Sequence, residues 1–117
     1  MKQGNIIKEK SYCFAIRIVK LYKFLSEEKK EYTLAKQILK SGTSIGAQIR
    51  ESEQGESKMD FIHKLAIALK EANETEYWLN ILKDVGYIDE RMFKSINKDC
   101  IELIKLLTSI IKTSKSK

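Results

Sequence analysis

Apolar residues recur every three or four positions along most of the chain, which is the periodicity of one face of an α-helix. The pattern predicts helices at about residues 5–26, 31–53, 58–85 and 89–112, with a short basic tail at about 113–117. Four helices of similar length joined by short polar turns are typical of a bundle. We therefore expect one all-α domain, an antiparallel up-down-up-down four-helix bundle.

Residues that begin and end helices support these boundaries. Ser57 is followed three residues later by Asp60, a spacing similar to a capping box, and Asp89 is a suitable N-cap for the last helix. Gly86 follows the third helix, where glycine accommodates the left-handed conformation that stops a helix. The chain contains no proline, which suits long uninterrupted helices.

Two glycines, Gly42 and Gly46, lie one turn apart inside the second predicted helix. Each costs about 1 kcal/mol relative to alanine in a helix interior. Because glycine has no side chain, such a pair lets another backbone come close. We therefore predict that a neighbouring helix packs tightly against this side of the second helix.

The third predicted helix carries two apolar stripes, although a corner helix of a monomeric bundle needs only one apolar face. One stripe is expected to face the core of the bundle; it comprises Phe61, Leu65, Ala68, Ala72 and Leu79. The second lies on another side, with glutamates beside it. A second apolar face is explained if it meets another subunit. The candidates for a subunit interface are Ile67, Glu71, Glu74, Trp78, Ile81 and Val85.

Charge is distributed unevenly around a formal net charge of +6. Residues 1–50 hold eleven basic and four acidic side chains, residues 51–90 hold four and ten, and residues 91–117 hold seven and two. A concentrated basic surface is typical of contact with nucleic acid or with an acidic protein, although lysine-rich faces are often only solvated. The candidate phosphate contacts on the first two helices are Arg17, Lys20, Lys23, Lys36, Lys40 and Arg50.

No set of residues suits catalysis, a cofactor or a metal. His63 is the only histidine, and with Asp60 it forms one half of a di-iron helix pair that lacks its second half. The glycine-containing segment 41–46 lacks the GK[ST] ending of a phosphate loop. Glu71, Glu74 and Glu76 fit a solvated or intersubunit face better than paired carboxylate catalysis. We therefore predict a protein that is not an enzyme.

The cysteines and the hydropathy favour a cytoplasmic protein. Cys13 and Cys100 are far apart in sequence and fall in helical segments, so we expect two reduced thiols in the core. No signal-like apolar segment follows the first residues, and no apolar run reaches the ~18 residues of a membrane span.

Several segments together resemble the bacterial four-helix proteins called 23S rRNA intervening-sequence proteins. The most distinctive is SGTSIGA at 41–47 followed by IRE at 49–51; the others are EKSY at 9–12, IVKLY at 18–22, DFI at 60–62, ALKEA at 68–72 and ETEYWL at 74–79. Gln48 and Ser52 depart from the expected asparagine and alanine. The family is also similar to the accessory protein of diversity-generating retroelements.

This resemblance implies a ring-like homo-oligomer, with five subunits as the expected number, and it implies no catalytic residues. The leading hypothesis is therefore a non-enzymatic, homo-oligomeric protein that contacts RNA or DNA backbones through its first two helices. The alternative is a protein-interaction scaffold whose basic surface meets an acidic partner or only maintains solubility. Nothing in the sequence resembles an element that reads bases.

Overall fold

The structure, a computed structural model, is an antiparallel bundle of four α-helices, and it describes residues 2–117, with side chains from residue 4 onward. The helices are α1 (Lys2–Glu27), α2 (Thr33–Ser52), α3 (Lys58–Asp84) and α4 (Glu90–Lys115). Each helix packs against its neighbours in sequence, and α1 closes the bundle against α4. The predicted all-α up-down four-helix architecture is confirmed.

The helices differ from the expected bounds mainly at the two ends of the chain. Helix α1 begins at Lys2, and α4 continues to Lys115, so most of the expected basic tail is helical. No proline interrupts either end. Lys112 and Lys115 lie in the last turn of α4, where their positive charge interacts favourably with the helix dipole.

The predicted capping residues adopt cap geometry. The Ser57 hydroxyl accepts a hydrogen bond from the Asp60 N–H at 3.1 Å, and the Asp89 carboxylate accepts one from the Met92 N–H at 2.8 Å. Gly86 has a φ of +87°, the left-handed conformation that ends α3 with little strain in glycine. Local residue chemistry thus determines where the second half of the bundle turns.

The core is built from one aliphatic stripe of each helix, with a few polar groups that find partners inside. Across α2 and α3, the Thr75 hydroxyl donates to the Ser41 hydroxyl at 2.9 Å. Between α4 and α3, the Cys100 thiol donates to the Ala72 carbonyl at 3.3 Å. Burial raises the pKa of the Cys100 thiol to about 12, and the nearby Glu76 carboxylate contributes to the increase.

The prediction of two core thiols was wrong for Cys13, which is exposed on α1. Its neighbour Phe14 occupies the core position and is almost completely buried. Adjacent helical residues point about 100° apart, so Cys13 faces away from the core when Phe14 faces into it.

Within the described residues, none of the helices is long and apolar enough to cross a membrane.

Candidate nucleic-acid interface

Helices α1 and α2 approach closely at the two predicted packing glycines. A Cβ atom added at Gly42 would lie 2.7 Å from Cγ1 and 2.8 Å from Cγ2 of Ile18. A Cβ atom at Gly46 would lie 3.3 Å from the backbone oxygen of Ser11. Only a residue without a side chain lets Ile18 occupy its present position, so the sequence of α2 determines how near α1 can come.

The outer side of this helix pair forms a continuous surface, which we call the α1–α2 face. Lys36, Thr43 and Arg50 repeat every seven residues and therefore share one side of α2. Thr43 and Arg50 line a depression together with Tyr12 of α1, which places that side of α2 next to the outer side of α1. Basic residues from both helices thus belong to one surface.

Five of the six predicted phosphate contacts are exposed and available. They are Lys20, Lys23, Lys36, Lys40 and Arg50. Among the residues that the structure describes, none of these five forms an ion pair. Lys40 nevertheless acts electrostatically on the Glu71 carboxylate of α3, although the two do not form an ion pair.

Arg17, the sixth candidate, lies instead at the boundary between α1 and α4. Its guanidinium donates to the Asp99 carboxylate at 2.8 Å, to the Ser95 carbonyl at 3.1 Å and to the Ser95 hydroxyl at 2.8 Å. These contacts engage much of its donor capacity. The structure therefore assigns Arg17 a packing role between helices and leaves the other five residues as candidate contacts.

Acidic residues are sparse on the α1–α2 face. No Asp or Glu occurs in residues 10–26 of α1 or 33–50 of α2, but Glu9 lies one turn before Tyr12 and lines a small depression with Tyr12 and Arg50. At the end of α2, Lys8 and Glu53 form an ion pair of 3.2 Å. Glu9 beside Arg50 and Glu71 near Lys40 oppose part of the positive charge, so the potentials of the basic residues add most fully around Lys20, Lys23 and Lys36.

Tyr12 rises from the α1–α2 face between two shallow depressions, with 58% of its surface exposed. One depression, of about 280 Å³, lies between the helices and is walled mainly by Ser11, Ala15, Thr43, Gly46 and Ala47. The other, of about 430 Å³, runs along α1 past Ile16 and Val19 to Lys20 and Lys23. Tyr12 has no distinctive sequence signal of its own, although Tyr12, Ile16 and Val19 have the spacing of one helix side.

The second apolar stripe of α3 is less exposed than its sequence pattern predicts. Ile67, Trp78 and Ile81 are half-buried, and the Trp78 ring packs against the core. Val85 remains 60% exposed, and Tyr77 lies exposed beside the Trp78 ring at 5.1 Å between centroids. The bundle itself therefore covers part of this predicted subunit interface.

Two half-buried glutamates, Glu71 and Glu74, accompany this stripe. Burial raises the pKa of Glu71, and the Glu74 carboxylate raises it further, while Lys70 and Lys40 act in the opposite direction. Neither glutamate forms an ion pair within residues 4–117. The α3 surface thus presents two glutamates without an ion-pair partner among the described residues, whereas the α1–α2 face is mainly basic.

The described side chains contain no group of three or more His, Cys, Asp or Glu that could hold a metal ion. His63 is exposed near the start of α3. The candidate binding surfaces are therefore the basic α1–α2 face and the second apolar stripe of α3 with its two glutamates.

Comparison with known proteins agrees with this architecture. Residues 3–109 match the family model described as 23S rRNA-intervening sequence protein. The chain is also similar to a crystal structure of a protein of unknown function from the S23 ribosomal protein family of Bacteroides thetaiotaomicron. The two are 61% identical over 94% of this chain and 98% of the other, with a TM-score of 0.93. A search of curated proteins found no significant match.

Proposed function

The chain belongs to the 23S rRNA-intervening sequence protein family, and we propose that it is a non-enzymatic protein that binds nucleic acid through the α1–α2 face. The observation that carries this proposal is the cluster of five exposed basic residues on the α1–α2 face, none of which forms an ion pair within the described residues. A nucleic-acid backbone is a regular array of negative charges, and basic groups that contact it release condensed counterions. Affinity should therefore fall steeply with salt.

Self-association is the second part of the proposal. The stripe on α3 still exposes Val85 and Tyr77, and it places the unneutralised Glu71 and Glu74 beside Trp78. Basic side chains of a neighbouring copy would neutralise these glutamates while their apolar neighbours are covered. The resemblance to the family suggests a ring, with five subunits as the expected number. Repeating the α1–α2 face around a ring would let several weak phosphate contacts act on one strand.

The nucleic-acid proposal is tested by charge reversal with a matched control. Combining Lys36→Glu, Lys40→Glu and Arg50→Glu should abolish binding to structured RNA and duplex DNA in fluorescence-anisotropy titrations at low salt. The control combines Lys98→Glu, Lys105→Glu and Lys112→Glu, which are exposed, repeat every seven residues on α4 and change the net charge equally. The control should retain most of the affinity. Equal losses in both variants would show that net charge, and not a defined interface, governs binding.

A scaffold function is the second candidate, and the exposed apolar side chains of Ile16 and Val19 favour it. Such a surface could cover an apolar patch on an acidic protein. If the unmodified chain binds neither RNA nor DNA at low salt, the scaffold function replaces the nucleic-acid one.

Self-association is tested by introducing a lysine in place of an exposed apolar residue of α3 in one variant and of α1 in another. Val85→Lys alters the α3 stripe at an exposed site, whereas Trp78→Ala would also disturb the core. We expect light scattering at micromolar concentration to show a multimer that Val85→Lys dissociates. The control is Val19→Lys on α1, which should leave the mass unchanged. A monomeric unmodified protein would contradict the proposal, and dissociation only by Val19→Lys would move the interface to α1.

A further inference from the structure

Tyr12 is an exposed aromatic side chain in the middle of the basic α1–α2 face. We propose that Tyr12 stacks against an unpaired nucleobase, so that this protein binds single-stranded nucleic acid in preference to duplex. The inference rests on the proposed function and names the form of nucleic acid that the face recognises.

The shape around Tyr12 suits a flat ring on either side of the phenol. Both depressions are open to solvent and have largely apolar walls, one against Gly46 and Ala47 and the other against Ile16 and Val19. Their volumes of about 280 and 430 Å³ lie at the low end for small-molecule sites. A single base can enter such a space, whereas a duplex keeps its base faces inside the stack.

The charges around Tyr12 suit a backbone that runs along α1. Arg50 lines the same depression as Tyr12 on one side, and Lys20 and Lys23 line the other depression. Lys23 is eleven residues beyond Tyr12, which corresponds to ~16 Å along a helix axis. A strand whose base rests on Tyr12 would thus have basic groups available in both directions. Proteins that bind single strands combine such a basic groove with aromatic side chains, because every base has a stackable face.

The same surroundings argue against a purely apolar occupant. The exposed apolar strip formed by Tyr12, Ile16 and Val19 continues directly into Lys20 and Lys23. Glu9 is the acidic residue that lines a depression with Tyr12, and Lys8 and Arg50 line the same depression. A polyanion with apolar rings suits both the apolar strip and the basic groups, whereas an apolar protein surface would leave the basic groups without partners. Charge complementarity therefore favours nucleic acid as the occupant.

The test compares a labelled oligothymidine of about 15 nucleotides with a duplex of equal length in anisotropy titrations. The unmodified protein should bind the single strand more tightly. Tyr12→Ala should weaken single-strand binding about 5- to 150-fold, the range expected for loss of one stacked base. Tyr12→Phe, which keeps the ring, should stay within about twofold of the unmodified protein. Met59→Ala is the control, because Met59 is 82% exposed at the start of α3 and lies outside both proposed interfaces, and it should change little.

The outcomes separate this inference from the proposed function. If the reversal of Lys36, Lys40 and Arg50 abolishes binding while Tyr12→Ala binds normally, the basic face stands and stacking is wrong. Equal affinity for single strand and duplex would also overturn stacking. If Tyr12→Ala changes the subunit number and Tyr12→Phe does not restore single-strand affinity, Tyr12 is an interface residue and the inference fails. Circular dichroism should show native helix content in each variant, because Tyr12 is mostly exposed.

Discussion

The two sides of α1 are held to the bundle in different ways. Towards α2, the helices meet through Gly42 and Gly46, and Ile18 fills the space that a side chain would otherwise occupy. Towards α4, polar side chains bridge the boundary, with Arg17 bound to Asp99 at 2.8 Å. The first boundary depends on close backbone approach and leaves no room for a side chain at Gly42. The second depends on half-exposed charges, whose individual contributions are small because water screens them.

This difference matters for the candidate interface. The α1–α2 face is built on the closely packed boundary, so the spacing between its basic side chains follows from direct contact between the two helices. The α1–α4 boundary makes the sparsest contact among the four adjacent helix pairs. We therefore expect substitutions between α1 and α2 to affect both stability and binding, and substitutions between α1 and α4 to affect stability weakly.

The largest effect is expected from Gly42→Ala. The new Cβ would lie under 3 Å from two carbon atoms of Ile18, which is itself completely buried and cannot turn away easily. Overpacking of this kind typically lowers the free energy of unfolding by about 1–3 kcal/mol, even though alanine is the better helix former. Chemical denaturation measures the loss, and an unchanged midpoint would show that α1 and α2 can separate without penalty.

Gly46→Ala sharpens the same comparison with a smaller expected effect. Its Cβ would lie 3.3 Å from the Ser11 carbonyl oxygen, a tight contact that a small shift relieves. The gain in helix propensity, about 1 kcal/mol, acts in the opposite direction. We expect a net change in the free energy of unfolding within about 1 kcal/mol. If Gly46→Ala destabilised as much as Gly42→Ala, both glycines would contribute equally to the close approach.

Alkaline pH should weaken the packing of α4 through Cys100. The pKa of its thiol is raised from 9.0 to about 12 in the folded chain, so the unfolded chain ionises first as pH rises. The stabilisation is therefore fully present below about pH 9 and is lost between about pH 9 and 12, at about 1.4 kcal/mol per pH unit.

Unfolding curves at pH 8 and pH 10.5 measure this loss. Cys100→Ala removes the ionising group and should show a flatter dependence on pH than the unmodified protein. Equal slopes would assign the alkaline loss to lysines and tyrosines elsewhere.

The exposed Cys13 should react with a thiol reagent in the native protein, whereas Cys100 should react only after unfolding.

The smallest effect is expected from Arg17→Met at the α1–α4 boundary. Methionine keeps most of the apolar stem while the contacts to Asp99 and Ser95 are lost. Because both charged side chains are more than one-third exposed, we expect a loss of only about 0–1 kcal/mol, which decreases further at high salt. Thermal denaturation at two salt concentrations measures it. A loss above about 2 kcal/mol would mean that the polar boundary is as important as the glycine boundary.

Much of the fold was predictable because its signals are local. The spacing of apolar residues determines which side of each helix faces the core, and Ser57, Asp89 and Gly86 form caps with residues near them in sequence. Gly42 and Gly46 also indicated a close helix contact without showing which helix supplies it. Only the folded chain identifies the partners as Ile18 and Ser11 of α1.

The candidate site was less predictable because charge on a helix does not reveal its neighbours. Arg17 has the same sequence character as Lys20 and Lys23, yet it pairs with Asp99, a residue 82 positions later. Tyr12 looked like one apolar residue among many. Its importance depends on the depressions beside it, which form only when α2 packs against α1.

Four helices, their caps, and a basic first half followed by an acidic third helix follow from residue identity and short-range spacing alone. Packing of the helices then sets which helix sides meet, which charges are paired and which apolar residues remain in water. It covers Trp78 in part, turns Cys13 outward and leaves Tyr12 exposed among free basic groups. Burial and ion pairing cannot be read from the sequence because they depend on distances between residues far apart in the chain, which only packing establishes.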